Sequence, residues 1–346
     1  MTKIETSMGK QALQKAFIAA ASPHIFGLAV SLTEQCNFRC TYCYEKFELQ
    51  AMSDPLYHGL KVLVETRIPA LKHFNLSWFG GEPLLDWQRM VDFSAYCRSL
   101  CAQYGVHMPA CTVPTNAWGL STEVLQAMCE AGVAEIMVSL DGLEEQHNQT
   151  RRLISGRGTF ERVYANLRKA AITPYDFNIV LRMHLHADNI ESQIALTQQL
   201  ARDFGNDPRF TLHPITIGDF GGDTVKSMSL LRVGSHEGIE NQLLELFRPG
   251  ALTKTNAMEP ELAVCYAAKP NHIFIRPNGM ISKCTSALDR EDNNIGRLLP
   301  TGEIEVDDAK ALAWSFGFKT GQAQDLSCPY WTKPQEQVIT FMPRPS

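Results

Sequence analysis

The sequence predicts an α/β fold, a partial barrel of six parallel strands alternating with helices, followed by a smaller unit built around a β-hairpin. Three observations predict it. Six apolar, β-branched runs recur between residues 26 and 217. Stretches with helical spacing of their apolar residues lie between them. After residue 217 the alternation stops, and a Pro-Asn-Gly turn separates two short apolar runs. Strands that alternate with helices must run parallel, because each helix carries the chain back to the starting edge.

The elements follow in order. Strands are expected over 26–32, 74–79, 111–114, 135–140, 177–185 and 210–217, with helices over about 55–65, 87–103, 122–131, 159–171 and 190–203. A short amphipathic helix is expected over 9–21. Behind the last strand comes the loop Gly218-Asp-Phe-Gly-Gly-Asp223, then a helical stretch ending near Phe247. The runs 272–276 and 280–283 flank Pro277-Asn278-Gly279, a hairpin pattern. The chain so divides into an N-terminal helical extension (1–24), a (β/α)6 partial barrel (25–223), a linker helix (224–264) and a small C-terminal unit (265–346). In barrels of this kind chemistry gathers on the loops after the strands.

Composition narrows the function. The chain has 346 residues, 45% of them hydrophobic, enough for a large core. Its net charge is −5 with no basic tract, which argues against a nucleic-acid partner. No run of 18 apolar residues is present, so no membrane-spanning helix is expected. The start, Met1-Thr-Lys-Ile-Glu-Thr6, has no apolar stretch behind a basic segment, so no signal peptide is expected and the cytoplasm is the default. Ten cysteines in that setting point to metal or cluster ligation rather than to a disulfide framework.

The first cysteine cluster is Cys36-Asn-Phe-Arg-Cys40-Thr-Tyr-Cys43, directly after the first strand. Three thiolates can hold three irons of a [4Fe–4S] cluster and leave the fourth iron open to a small ligand. Structural zinc takes four closed ligands, and no fourth Cys or His lies near.

This C-x3-C-x2-C segment, with Tyr42 before its last cysteine, resembles the hallmark of the radical S-adenosylmethionine (SAM) superfamily. The resemblance runs through the barrel. Gly80-Gly81-Glu82-Pro83 looks like the family's segment that holds the amino group of SAM. Ser139-Leu140-Asp141-Gly142, with His147, Arg151 and Gly158-Thr159-Phe160, resembles the fourth-strand loop of members that modify peptides and proteins, such as anaerobic sulfatase-maturing enzymes. It implies that Ser139 and either Arg151 or Arg152 meet the carboxylate or ribose of SAM, with Thr115-Asn116 as a further contact. The implied chemistry is reductive cleavage of SAM to methionine and a 5′-deoxyadenosyl radical, which takes a hydrogen atom from the substrate. The electron would come from a flavodoxin- or ferredoxin-type partner.

A second set follows. Cys265, thirteen residues, Gly279, four residues and Cys284 bracket the hairpin, and Cys328 lies further on. The pattern resembles the SPASM and twitch extensions of the same superfamily, which bind auxiliary [4Fe–4S] clusters. With no cysteine after Cys328, it looks like the shorter, one-cluster twitch form. Trp331 stands where a last cysteine would complete Cys-x2-Cys. The fourth iron then takes another side chain or stays open to substrate; the open site is the expectation.

Of the other cysteines, Cys97 and Cys101 share a helix face and, with Cys111 and Cys129, read as buried small apolar residues. Arg182, His184 and His186 alternate on the fifth strand and share one face, where Arg182 would meet SAM or substrate. His213, Asp219 and Asp223 are candidate general bases. Tyr42, Tyr44 and Phe38 are expected to pack over the cluster. The favoured function is modification of a peptide or protein side chain by oxidation, cross-linking or epimerisation. The alternative enzyme is a twitch-type dehydrogenase or epimerase of a small molecule such as an aminosugar, and the non-catalytic alternative is an iron–sulfur electron carrier.

Overall fold

The computed structural model describes residues 17–220, 224–231, 237–250 and 264–333. Of the expected N-terminal helix, residues 17–21 are helical and the rest lies outside the described residues, as does Asp223.

The six predicted barrel strands are present: β1 (Ile25–Ser31), β2 (His73–Phe79), β3 (Thr112–Thr115), β4 (Glu135–Leu140), β5 (Asn178–Leu185) and β6 (Phe210–Thr216). All five adjacent pairs are parallel. The helices between them are α1 (Asp54–Arg67), α2 (Trp87–Tyr104), α3 (Thr122–Glu130), α4 (Glu144–Thr150), α5 (Phe160–Ala171) and α6 (Ile190–Phe204). Local chemistry sets their ends. Pro55 sits in the first turn of α1, Gly105 ends α2 in the left-handed region, and the Ser121 side chain accepts from Val124 N at the start of α3.

Alternation along each strand separates core from lumen. Ile136, Val138 and Leu140 on β4 and Ile179, Leu181 and Met183 on β5 are fully buried under the helices. Their neighbours Glu135, Met137, Ser139, Val180 and Arg182 are partly open and line the inside of the barrel.

The C-terminal unit continues the same sheet. After α7 (Glu237–Phe247), strand β7 (His272–Ile275) pairs parallel with β1, placing His272 beside Gly27 and Ile275 beside Val30. The predicted hairpin is β7 with β8 (Met280–Ser282), extended by β9 (Asn294–Leu298) and β10 (Ile304–Val306). The strand order is β10-β9-β8-β7-β1-β2-β3-β4-β5-β6. The hairpin unit is so fixed edge-on to the strand whose end leads into Cys36. Helix α8 (Asp308–Trp314) closes it, and the buried Trp314 donates Nε1–H to Asp292 O at 2.9 Å.

Candidate functional site

The loop after β1 carries Cys36, Cys40 and Cys43, all partly buried at the C-terminal end of the barrel. Two neighbouring segments fix its course. Gly81 N donates to Thr33 O at 3.3 Å and Glu82 N to Gln35 O at 3.0 Å. The Gly-Gly pair lies close against the cysteine loop. A Cβ on Gly80 would meet Thr33 O at 2.2 Å, and one on Gly81 would meet Glu34 O at 2.4 Å. Gly80 also has φ +123°, a conformation side chains disfavour. The close approach these glycines permit is to the cysteine loop itself.

Glu82, Thr115 and Asn116 come together, but on one another. The buried Glu82 carboxylate accepts from Leu84 N (2.9 Å), Thr115 Oγ1 (2.6 Å) and Asn116 N (2.7 Å). Burial raises its pKa against these donors. Asn116 Nδ2 in turn donates to Asn37 Oδ1 at 2.8 Å and reaches Cys36 Sγ at 3.8 Å. These residues tie the ends of β2 and β3 to the first cysteine.

A second polar group ties the loop to β4 and β5. Tyr42 Oη donates to Asp141 Oδ1 (3.0 Å), accepts from Arg151 Nη1 (2.6 Å) and lies 2.9 Å from His184 Nδ1. Thr150 Oγ1 donates to the other Asp141 oxygen at 2.7 Å. Burial pushes the Asp141 carboxyl up, but the His184 hydrogen bond and the Arg151 charge outweigh it and hold the group well below the usual carboxylate range. Burial lowers the pKa of His184 against the pull of Asp141. Tyr42 was expected only to pack; its hydroxyl is the hub of this network. The signal available in the sequence was His184, which alternation puts on the lumen face. The structure also separates the two candidate arginines: Arg151 is buried in the network, whereas Arg152 is exposed.

The loop from Ser139 to Phe160 is stitched internally. His147 Nδ1 accepts from Asp141 N (3.4 Å), and Nε2 meets Thr159 Oγ1 (3.1 Å), which donates to Arg151 O (2.7 Å). Asn148 Oδ1 accepts from Thr159 N and Phe160 N. The Gly-Thr-Phe segment therefore holds Arg151 in place.

Inside the barrel, Arg182 and His213 face the lumen; Asp219 is exposed on the loop after β6. The His186 ring is buried with both nitrogens without a hydrogen-bond partner, and its Nδ1 lies 3.9 Å from Asp188 Oδ2.

In the C-terminal unit Cys284 and Cys328 lie near Cys265. The Cys265 thiol is raised by burial and further by the nearby Cys284 and Cys328. Cys265 N donates to Leu326 O at 2.8 Å, which brings the Cys328 segment alongside. Asn293, fully buried, accepts from Lys283 N and Cys284 N and donates to Cys284 O and Ala287 O. Trp331 is 65% exposed and rests on Tyr330 with centroids 4.4 Å apart, so it offers the set no side chain. Lys283 lies buried beneath the set, donating to Lys269 O and His272 O.

The thiols fit iron–sulfur ligation on local chemistry. Phe38 N donates to Cys36 Sγ at 3.3 Å and Ser286 N to Cys284 Sγ at 3.4 Å. Backbone donors at Glu45 and Ala267 likewise favour the Cys43 and Cys265 thiolates. In all four the donor is two residues past the cysteine, and hydrogen bonds to sulfur stabilise cluster thiolates. Burial pushes Cys43 up to about 12, so ionisation there needs a cationic partner. Among the described residues no three Cys, His, Asp or Glu side chains converge as they would on a single metal ion. A cluster with one iron per thiolate needs no such convergence. Thr41 Oγ1, Glu45 Oε2 and Arg182 Nε are buried polar atoms without a hydrogen-bond partner. The remaining cysteines differ: Cys97, Cys101 and Cys111 are buried together between α2 and β3, and Cys129 is half-buried rather than buried.

The two cysteine sets touch through their neighbours. Tyr44, next to Cys43, hydrogen-bonds the side chain of Ser286, two residues past Cys284. Phe220 lies between Tyr44 and Tyr330, with centroids 6.0 and 5.7 Å away.

Comparison with known proteins agrees with this layout. Residues 30–192 match the family described as Radical SAM superfamily. A GTP 3′,8-cyclase of Gloeobacter violaceus is 27% identical over 276 residues, 74% of this chain and 80% of that protein. One of Peptoclostridium acidaminophilum is 28% identical over 275 residues, 74% and 79% of the two chains. Among solved structures, "Native anSMEcpe with bound AdoMet and Cp18Cys peptide" superposes with TM-score 0.62 at 16% identity, covering 85% of this chain and 82% of the other. Streptococcus suis SuiB bound to precursor peptide SuiA gives 0.56 at 12% identity, covering 84% and 69%. The matched span begins on β1, contains all three cysteines of the first loop and ends early in α6; over residues 30–192 the chain resembles the radical SAM superfamily.

Proposed function

We propose that this chain is a radical SAM enzyme that holds a [4Fe–4S] cluster on Cys36, Cys40 and Cys43, binds SAM in the barrel lumen and modifies a peptide or protein side chain. The observation that carries the reading is the first cysteine loop, pinned on one side by Glu82 and Asn116 and on the other by Arg151 and Asp141 through Tyr42. A cluster held by Cys36, Cys40 and Cys43 would supply the one-electron reduction that cleaves SAM, and with it hydrogen-abstracting radical chemistry. The protein's own part is to orient and to exclude water. Ser139 and Arg151 are candidates for the polar end of SAM, with Gly80, Gly81, Glu82, Thr115 and Asn116 fixing the loop beside it. Asp141 holds Arg151 and Tyr42. Cys265, Cys284 and Cys328 are the ligands proposed for an auxiliary [4Fe–4S] cluster of twitch type, in a unit starting at residue 265. A flavodoxin- or ferredoxin-type reductant in the cytoplasm completes the scheme; no described helix is long and apolar enough to cross a membrane.

The fold likeness to enzymes solved with peptides, and the Ser139–Phe160 loop, support the peptide reading. A second reading, a small-molecule substrate, is favoured by the likeness to GTP 3′,8-cyclases over 74% of the chain.

Two measurements test this. After anaerobic reconstitution, roughly eight irons per chain are expected in the wild type and roughly four in the Cys36/Cys40/Cys43→Ala variant. About four falling to none would withdraw the auxiliary cluster. Deoxyadenosine formation is then screened against peptides, sugars and nucleoside triphosphates. Stimulation by nucleotides or sugars alone would reject the peptide reading, and no formation in the presence of reductant would reject SAM cleavage.

A further inference from the structure

One row of side chains crosses the barrel lumen on three adjacent strands. Ser139 on β4 is in register with Arg182 on β5, and Arg182 is in register with His213 on β6. The residues on either side of them, Val138, Leu140, Leu181, Met183 and Leu212, are buried in the core, so the row itself points inward. It presents a hydroxyl, a guanidinium and an imidazole and no carboxylate.

Arg182 is the centre of the row. Its Nε is buried without a partner, and its Nη1 reaches nothing better than the Met137 sulfur at 3.8 Å. Asp141, the acidic group of the Tyr42 network, is already held by Thr150, Tyr42 and His184. A half-buried guanidinium left like this is costly unless a ligand supplies the acceptor. The planar fork suits a two-oxygen acceptor, and His213 beside it adds a donor. The guanidinium on the side of the cysteine loop is a different one, Arg151, held at Tyr42. Arg182 and His213 lie away from it, toward β6, the last strand of the sheet.

We propose that Arg182 and His213 form a receptor for an oxyanion of the substrate, a carboxylate or a phosphate, and that the substrate of this barrel is therefore anionic at the end bound deepest beside β6. This rests on the lumen being the substrate chamber. Arg182 is then a substrate ligand rather than the SAM ligand its strand position first suggests, and His213 is a hydrogen-bond donor to substrate rather than a general base.

The test needs no turnover. Inorganic phosphate and acetate are titrated calorimetrically into the reconstituted, SAM-loaded holoenzyme, and SAM is titrated separately into each variant. Saturable binding of at least one anion is expected, weakened about tenfold in Arg182→Met and about threefold in His213→Gln, with part of the affinity kept in Arg182→Lys. Tighter phosphate than acetate names a phosphate substrate, and the reverse names a carboxylate. Binding of neither anion by the wild type would overturn the proposal. So would a tenfold loss of SAM affinity in Arg182→Met with anion binding retained. Iron content is measured first; if Arg182→Met fails to hold cluster, Arg182→Lys and His213→Gln decide. Deoxyadenosine formation is scored apart from these titrations, so failure of SAM cleavage and failure of the oxyanion site are separate results.

Discussion

Arg276, at the turn of the C-terminal hairpin, grips Glu34 with both ends of its guanidinium, Nε to Oε1 at 2.7 Å and Nη2 to Oε2 at 3.0 Å. Glu34 stands two residues before Cys36, and both side chains are largely buried. The pair fastens the C-terminal unit to the start of the cysteine loop, and Arg276 Nη1 also holds Leu288 O. Removing one partner leaves a buried charge alone. Arg276→Met is expected to lower stability by about 3 kcal/mol, while Glu34→Met/Arg276→Met together recovers most of it. Denaturant midpoints of the three proteins check this. A double variant as unstable as the single one would mean that the charges matter for something other than each other.

The Gly81 contact predicts a coupled loss of stability and iron. An added methyl must displace the Glu34 or Gln35 carbonyl, so Gly81→Ala should cost about 2 kcal/mol and shift the segment that carries Cys36. Iron in the first site, assayed in a Cys265/Cys284/Cys328→Ala background, should fall well below the parent's. Full iron with unchanged stability would contradict the packing role.

Tyr42→Phe removes a hydroxyl that serves three polar partners. Arg151 and Asp141 remain buried, and Arg151 loses its acceptor. A destabilisation of about 2 kcal/mol is expected. The electron paramagnetic resonance signal of the reduced first cluster should also change, because the same hydroxyl orders the residue between Cys40 and Cys43. An identical spectrum would place the network's influence elsewhere.

His147 predicts a pH dependence. Burial lowers its pKa from 6.5 to about 3, and its Nδ1 already accepts from Asp141 N. The unfolded chain takes up a proton that the folded chain refuses. Its contribution to stability is therefore full above about pH 6.5 and declines as pH falls toward about 3. Urea midpoints at about pH 7 and about pH 4.5 should differ less in His147→Gln than in the wild type. An equal difference in both would assign the acid sensitivity to other groups.

Much of the barrel was legible. Strands alternate with period two and helices with a period near 3.6, so each element announces itself within its own residues, and all six barrel strands begin within one residue of the expected position. The cysteine spacing and the Pro-Asn-Gly turn are likewise local. Less of the site was legible. The sequence flagged Glu82, Asn116, Asp141 and Arg151 but not that they hold one another, and it left Tyr42 as packing and Glu34 unnoticed.

The sequence by itself determined the elements, their order and the residue types available for chemistry, because these depend on neighbours a few positions apart. The tertiary structure alone decided that β7 joins β1, that Arg276 meets a carboxylate 242 residues away, and that Ser139, Arg182 and His213 stand in one row. Those relations depend on strand register and on which edge of the sheet stays open. Burial then makes pairs such as Glu34–Arg276 matter, because a charge left alone in the interior is costly.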